Sequence, residues 1–311
     1  MRLTLNLSSL SLPELEVRLQ GRGIYLRTGA FTTRVQSSIP SVAEGMSRLY
    51  SDYSLTEQND FADFHVSLDR PSHLRRWFKP QVLFLFDGSS PFKPLPLEQA
   101  FPMFEWGLNW CVSSYAHRYL IIHAAVVEKE GFAAILPAPP GSGKSTLCAA
   151  LINRGWRLLS DELTLIRIDD SKVVPLPRPV SLKNASIDII GNYVPQGVFS
   201  RRVTDTMKGT IAHLKPPFES IVRAAEVAEP AWIIFPKYQP NAPVQLEAMP
   251  QSRAFMQVAE NAFNYSTLGS RGFETLAKLI DVSVCYEFTY SVLDDAIETF
   301  AALKPPAASM A

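Results

Sequence analysis

Apolar and polar residues alternate through "LEVRLQGRGIYLRTGAFTTRVQSSIP", from Leu15 to Pro40, and Gly21 and Gly23 interrupt the run. Alternation broken by glycine predicts a short antiparallel β unit. The next stretch, "SVAEGMSRLYSDY", changes to a helical period, with Ser41 at the predicted N-cap and Glu44 at the capping-box position. "ADFHVSL" and "QVLFLFDG" read as strands, and the proline-rich "SSPFKPLPLEQ" as a connector. A helical apolar period then runs through "LEQAFPMFEWGLNWCVSSYAHR", which Pro102 either starts or kinks.

The pattern changes again at Tyr119. "YLIIHAAVVEKEGFAAILPA" is two apolar runs joined by the charged turn "EKEG", which predicts a β-hairpin. "STLCAALINRG" predicts a helix closed by Gly155. "WRLLSDELTLIRIDDSKVVPLP" reads as a strand, an acidic turn and a hairpin turning at Asp169 and Asp170. "AWIIFPKY", "PVQLEAM" and "SVCYEFTYS" predict further strands. Helices are expected near 251–266 and 269–281 and over "VLDDAIETFAAL", with "KPPAASMA" as a terminal tail. The sequence thus divides into an N-terminal α+β module, residues 1–115, and an α/β nucleotide-type domain, residues 116–311.

Composition narrows the class. Among 311 residues, 47% are hydrophobic and 19% charged, which fits a folded globular chain rather than a disordered one. Lys+Arg and Asp+Glu are both 30, so there is no overall attraction to nucleic acid or to an anionic membrane. Cys111, Cys148 and Cys285 form no CxxC pair and read as buried reduced thiols. No signal-peptide core or membrane-length apolar run is present, and a cytoplasmic location is expected.

The candidate chemistry centres on "GSGKST", residues 141–146. Glycines let backbone N–H groups converge on phosphate oxygens, and the helix that follows adds its positive N-terminal end. Gly141, Ser142, Gly143, Lys144, Ser145 and Thr146 are the predicted nucleotide-binding residues. Lys144 would reach the β- and γ-phosphates, and the Ser145 hydroxyl would ligate Mg²⁺. Ala138 stands where the usual GxxxxGK[ST] pattern has glycine, and Pro139 and Pro140 supply no N–H. The bland alternative is a tight turn in a fold that no longer binds nucleotide.

One helix and one strand further on come Asp161 and Glu162, expected at a strand end beside the loop. One of them can meet Mg²⁺ while the other takes a proton from an attacking hydroxyl. A solvated acidic turn is the alternative. His123 ends "YLIIH" and leads to the loop, and both a structural and a functional role stay open. Arg201, Arg202, Lys208 and His213 are candidates for phosphate or substrate contact, against the alternative of a solvated basic loop. Lys183 in "RPVSLKN" is a weaker candidate of the same kind. His65, His73 and His117 carry no pattern.

These residues resemble the HPr serine kinase/phosphorylase family. The shared pieces are His123 before a hairpin, "GSGKST", "NRG" at 153–155 and "RLLSDE" at 157–162. The loop followed by an acid pair is also similar to phosphoenolpyruvate carboxykinase. "RTGAFTTRVQSSIPSVAEGMSRLYSDY", "RPVSLKN" and "KGTIAHLKPP" resemble the branch called HPr kinase-related kinase A.

The resemblance implies an α/β P-loop kinase core with a separate N-terminal α+β module, and ATP and Mg²⁺ as cofactors. Lys144 and Ser145 would hold ATP·Mg²⁺, Asp161 would be the base toward a serine hydroxyl, and His123 would lie near the transferred phosphate. Ser145, Asp161 and Glu162 are the implied metal-side residues, with Glu162 in place of the family's second Asp. The expected acceptor is a serine of a peptide or small protein, or a small-molecule hydroxyl. The relatives form rings, so a homo-oligomer is also implied. A nucleotide-dependent binding or chaperone protein is the alternative from a different class.

Overall fold

Burial along the strands separates the two halves of the chain. Phe31–Ser37 buries every second residue, whereas Tyr119–Ile122 and Arg157–Ser160 are buried throughout. Alternation marks a sheet covered on one face, and continuous burial marks strands covered on both. The computed structural model describes residues 5–56, 61–71, 78–139 and 141–305. His73, Pro140 and residues 306–311 of the tail lie outside them.

The N-terminal half is a seven-stranded sheet. In spatial order its strands are Leu5–Asn6, Ser54–Thr56, Ile24–Thr28, Phe31–Ser37, Phe64–Asp69, Gln81–Phe86 and Leu95–Pro96. The predicted β unit is only half a β unit, because Leu12–Gln20 is a helix. Ser11 caps it in a reciprocal box with Glu14, and Pro13 lies in its first turn. This start signal outweighs the apparent alternation. The hairpin begins only at Ile24.

The second helix, Pro40–Leu49, starts one residue before the predicted cap. Pro40 sits in the first turn, and Ile39 is the N-cap without a side-chain bond. Helix Ala100–Tyr115 carries Pro102 in its first turn, so the proline starts this helix and does not kink it. The sheet and these helices enclose a core containing Leu26, Val35, Met46, Tyr50, Phe84 and Phe104. Ile121, Leu163, Leu165 and Leu176, all from beyond residue 115, belong to the same core.

The second half is built on a six-stranded sheet. Its strands, in spatial order, are Arg157–Ser160, Ala124–Lys129, Phe132–Pro137, Glu229–Tyr238, Val284–Tyr290 and Gln245–Ala248. Phe132–Pro137, Glu229–Tyr238 and Val284–Tyr290 run parallel. Arg157–Ser160 shares their direction, because Ala124–Lys129 is antiparallel both to it and to Phe132–Pro137. The C-terminal ends of four strands therefore meet along one edge, and the N-terminal end of Ala124–Lys129 meets them there.

Two three-stranded sheets complete the fold. One orders Val173–Val174, Thr164–Arg167 and Tyr119–Ile122, so "YLII" leaves the predicted hairpin and pairs elsewhere. The other orders Val180–Lys183, Gly209–Leu214 and Val203–Thr206. The basic stretch from Arg201 is thus partly a hairpin, not only a loop. Cys111, Cys148 and Cys285 are buried and unpaired. Among the described residues no helix is long and apolar enough to cross a membrane. The architecture is a mixed α/β fold with several sheets.

Candidate functional site

Ligand sites in open α/β sheets lie outside the carboxyl ends of the strands. Here that edge carries the turn after Phe132–Pro137, which runs into helix Lys144–Ile152. Gly141 and Gly143 have φ of +88° and +89°, a region that other residues enter only with strain. At Gly143 a Cβ would also lie 2.5 Å from the Tyr290 hydroxyl and 2.9 Å from Tyr238 Cβ. Neighbouring strand ends pin the turn. Tyr238 N donates to Ser142 O at 2.8 Å, and the Tyr290 hydroxyl donates to Gly143 O at 3.1 Å.

The turn opens on a cleft of about 810 Å³. Gly141 to Thr146, His123 and Glu162 line the end beside the turn. Ile189, Tyr193, Tyr238, Val292 and Leu293 line the rest, with Ser181 and Lys183 between. Lys144 is buried, and its Nζ has no protein partner. Burial pulls its amine below the usual lysine range, while Asp161 and Glu162 act in the opposite direction.

The two acids are placed differently. Glu162 lines both the cleft and a smaller cavity, whereas Asp161 lines only the smaller one. Asp161 is 5% exposed, and its Oδ2 accepts from Ser181 N at 3.0 Å. Its Oδ1 is buried without a partner. Burial, reinforced by the neighbouring Glu162, pushes its carboxyl up to about 6. Burial would raise Glu162 as well. Lys208, Lys183, Arg178 and Lys144 together hold it below the usual glutamate range. Asn109 Nδ2 donates to Glu162 Oε2.

His123 is half-buried at the start of Ala124–Lys129, with its ring 5.7 Å from that of Phe263. Burial and then the charge of Lys144 push its imidazole down to about 4, so it is neutral at pH 7. His213 is 1% exposed and packs edge-on against Phe101 at 5.6 Å. It lines the smaller cavity, not the cleft. Arg201 pairs with Glu44 at 3.1 Å and Arg202 with Asp188 at 2.6 Å, both exposed and neither lining the cleft. Lys208 is exposed, with its amine 5.2 Å above the Trp106 ring, and acts on Glu162 through charge.

Several cleft residues were not among the candidates read from the sequence. Strand Val180–Lys183 and helix Ala185–Tyr193 bring Ser181, Asn184, Ile189 and Tyr193 to the wall. Asn184 has φ of +51°, and its Oδ1 accepts from Thr210 N at 3.0 Å, which ties the hairpin to the helix start. The Tyr193 hydroxyl donates to Asp294 Oδ1 at 2.7 Å across the rim. Only the stretch "RPVSLKN", with Lys183 as a weaker candidate, marked the segment in the sequence.

The donor set fits a nucleotide and a divalent cation. Lys144 Nζ, Ser142 Oγ and Asp161 Oδ1 are buried and unpartnered, and a Cβ at Gly141 would meet nothing within 4 Å. Among the described residues no group of three or more His, Cys, Asp or Glu forms a cage for a metal. Mg²⁺ commonly takes one or two carboxylates and completes its shell with phosphates and water. Ser145 and an acid beside it would suit that role once phosphate is present.

No family profile and no curated protein matches the sequence. Among solved structures it is similar to the HPr(Ser) kinase/phosphatase from Coxiella burnetii, at 14% identity and a TM-score of 0.26. That match covers 58% of this chain and 93% of the other.

Proposed function

We propose that the chain is an ATP-dependent kinase of P-loop type, transferring a phosphoryl group to a hydroxyl of a peptide, a small protein or a small molecule. One observation carries this reading. A buried lysine amine without a protein partner stands at the head of a helix, behind a turn with two positive-φ glycines, and its cleft also holds a carboxylate. Backbone N–H groups, a helix N-terminus and an unpaired ammonium together suit a phosphate chain.

Within this reading Lys144 and the amides of residues 141–146 hold the phosphates. The apolar wall of Ile189, Tyr193, Val292 and Leu293 takes the base. Mg²⁺ would be held by Ser145 with Asp161 nearby, and when bound it would neutralise phosphate charge. Because Glu162 is the acid that lines the cleft, we assign it to the acceptor hydroxyl, and Asp161 to the metal side. The acceptor oxygen bonds to the γ-phosphorus, the bond from that phosphorus to ADP breaks, and the hydroxyl proton passes to Glu162. Phosphoryl transfer asks for this positioning and charge balance more than for covalent help. His123, neutral at pH 7, can donate or accept one hydrogen bond there without adding charge.

The test is incubation with γ-labelled ATP, Mg²⁺ and a lysate of the source organism, with labelled species identified by mass spectrometry. Wild-type protein should label a discrete acceptor. Labelling that persists with Lys144→Ala, or wild-type protein that binds no MgATP, would overturn the reading.

A further inference from the structure

The side-chain amide of Asn109 lies between two charged groups. Its Oδ1 accepts from Arg178 Nη1 at 2.9 Å, and its Nδ2 donates to Glu162 Oε2. A guanidinium only donates and an ionised carboxylate only accepts, so a primary amide satisfies both without adding charge. Arg178 is itself held. Its Nη2 donates to the Glu105 carbonyl at 2.8 Å and to Glu105 Oε2 at 2.7 Å. Glu105 Oε1 accepts from the Tyr50 hydroxyl at 2.8 Å.

Tyr50, Glu105 and Arg178 are 0%, 2% and 7% exposed. Glu105 and Asn109 are four residues apart on helix Ala100–Tyr115 and so share a face. An unbroken set of contacts thus starts in the core of the N-terminal sheet and ends at the acid in the cleft. Lys144, Lys183, Lys208 and Arg178 attract Glu162 from several sides, with Asp161, His123 and His213 also within reach of this field. Charge alone therefore does not select one position for the carboxylate. A directional bond from an amide anchored by Arg178 does.

We propose that Asn109 is a positioning residue for Glu162, so that the N-terminal half completes the phosphate end of the cleft. The proposal rests on the reading of that cleft as an MgATP site. A purely structural Asn109, one that only joins the halves, would change stability and nothing else.

The experiment compares Asn109→Ala and Asn109→Asp with wild type by calorimetric MgATP affinity, by transfer rate to the labelled acceptor, and by thermal melting. Alanine keeps the helix. Asn109→Ala should keep MgATP affinity, with the transfer rate about 10- to 100-fold lower. Asn109→Asp keeps the size but offers Glu162 no donor, so its rate should fall at least as far. Should Asn109→Asp not fold, Asn109→Ala carries the test through the same split between affinity and rate. Variants that melt earlier yet keep the wild-type rate would overturn this proposal alone. Wild-type protein that binds no MgATP would overturn the nucleotide reading instead.

Discussion

The two large sheets do different things for the cleft. The central strands of the six-stranded sheet are packed on both faces, so their side chains go into the core and the cleft lies at the strand ends. His123, the 141–146 turn, Tyr238 and Tyr290 all come from that one edge. The seven-stranded sheet has a half-covered face and contributes no residue to the cleft lining. It acts through helix Ala100–Tyr115, whose Glu105 and Asn109 reach the surroundings of Glu162. The parallel edge lines the cleft directly, while the half-exposed sheet reaches its surroundings through one helix.

The substitution with the largest expected effect tests the edge. Glu162→Gln keeps the size and removes the proton acceptor, so transfer should fall by about 10²- to 10⁴-fold with MgATP binding retained. A rate near wild type in the labelled-ATP assay would move the base elsewhere. Lys144→Ala removes a charge-assisted contact, and calorimetry should show MgATP affinity about 10- to 100-fold weaker.

Gly143→Ala strains the turn at φ +89° and crowds Tyr290. A loss of about 1–3 kcal/mol is expected in denaturant unfolding.

Asp161 provides a pH-dependent test. Its folded value of about 6 lies above the unfolded value near 3.9, so the folded state retains a proton that the unfolded state releases. Its contribution favours folding at low pH and fades as pH rises toward 6. Asp161→Asn should therefore melt higher than wild type at pH 7, with the gap closing by about pH 4. Melting curves across that range check the sign.

The smallest effect belongs to the surface. Arg202→Ala breaks an exposed pair with Asp188 and should shift stability by no more than about 0.5 kcal/mol, with MgATP affinity unchanged.

Legibility in the sequence followed locality. "GSGKST" and "SDE" were readable because the turn, the helix start and the strand end are set by neighbours in the chain. Ser11 and Glu14 carried a readable cap, yet the apparent alternation from Leu15 concealed it. Strand Val180–Lys183 and helix Ala185–Tyr193 were missed because the strand is held by pairing with residues about thirty positions away. The basic group of Arg201, Arg202, Lys208 and His213 looked like one unit. Folding separates it, sending His213 into the interior and the two arginines to surface partners.

By itself the sequence determined several of the elements, the glycine-containing turn and the acids one helix and one strand beyond it, because backbone sterics and short-range hydrogen bonds act over a few residues. Tertiary structure alone decided which acid faces the cleft, which histidine is buried and which amide bonds to Glu162. Those outcomes depend on strand order and on contacts such as Asn109 with Glu162 and Arg178, separated by 53 and 69 positions along the chain.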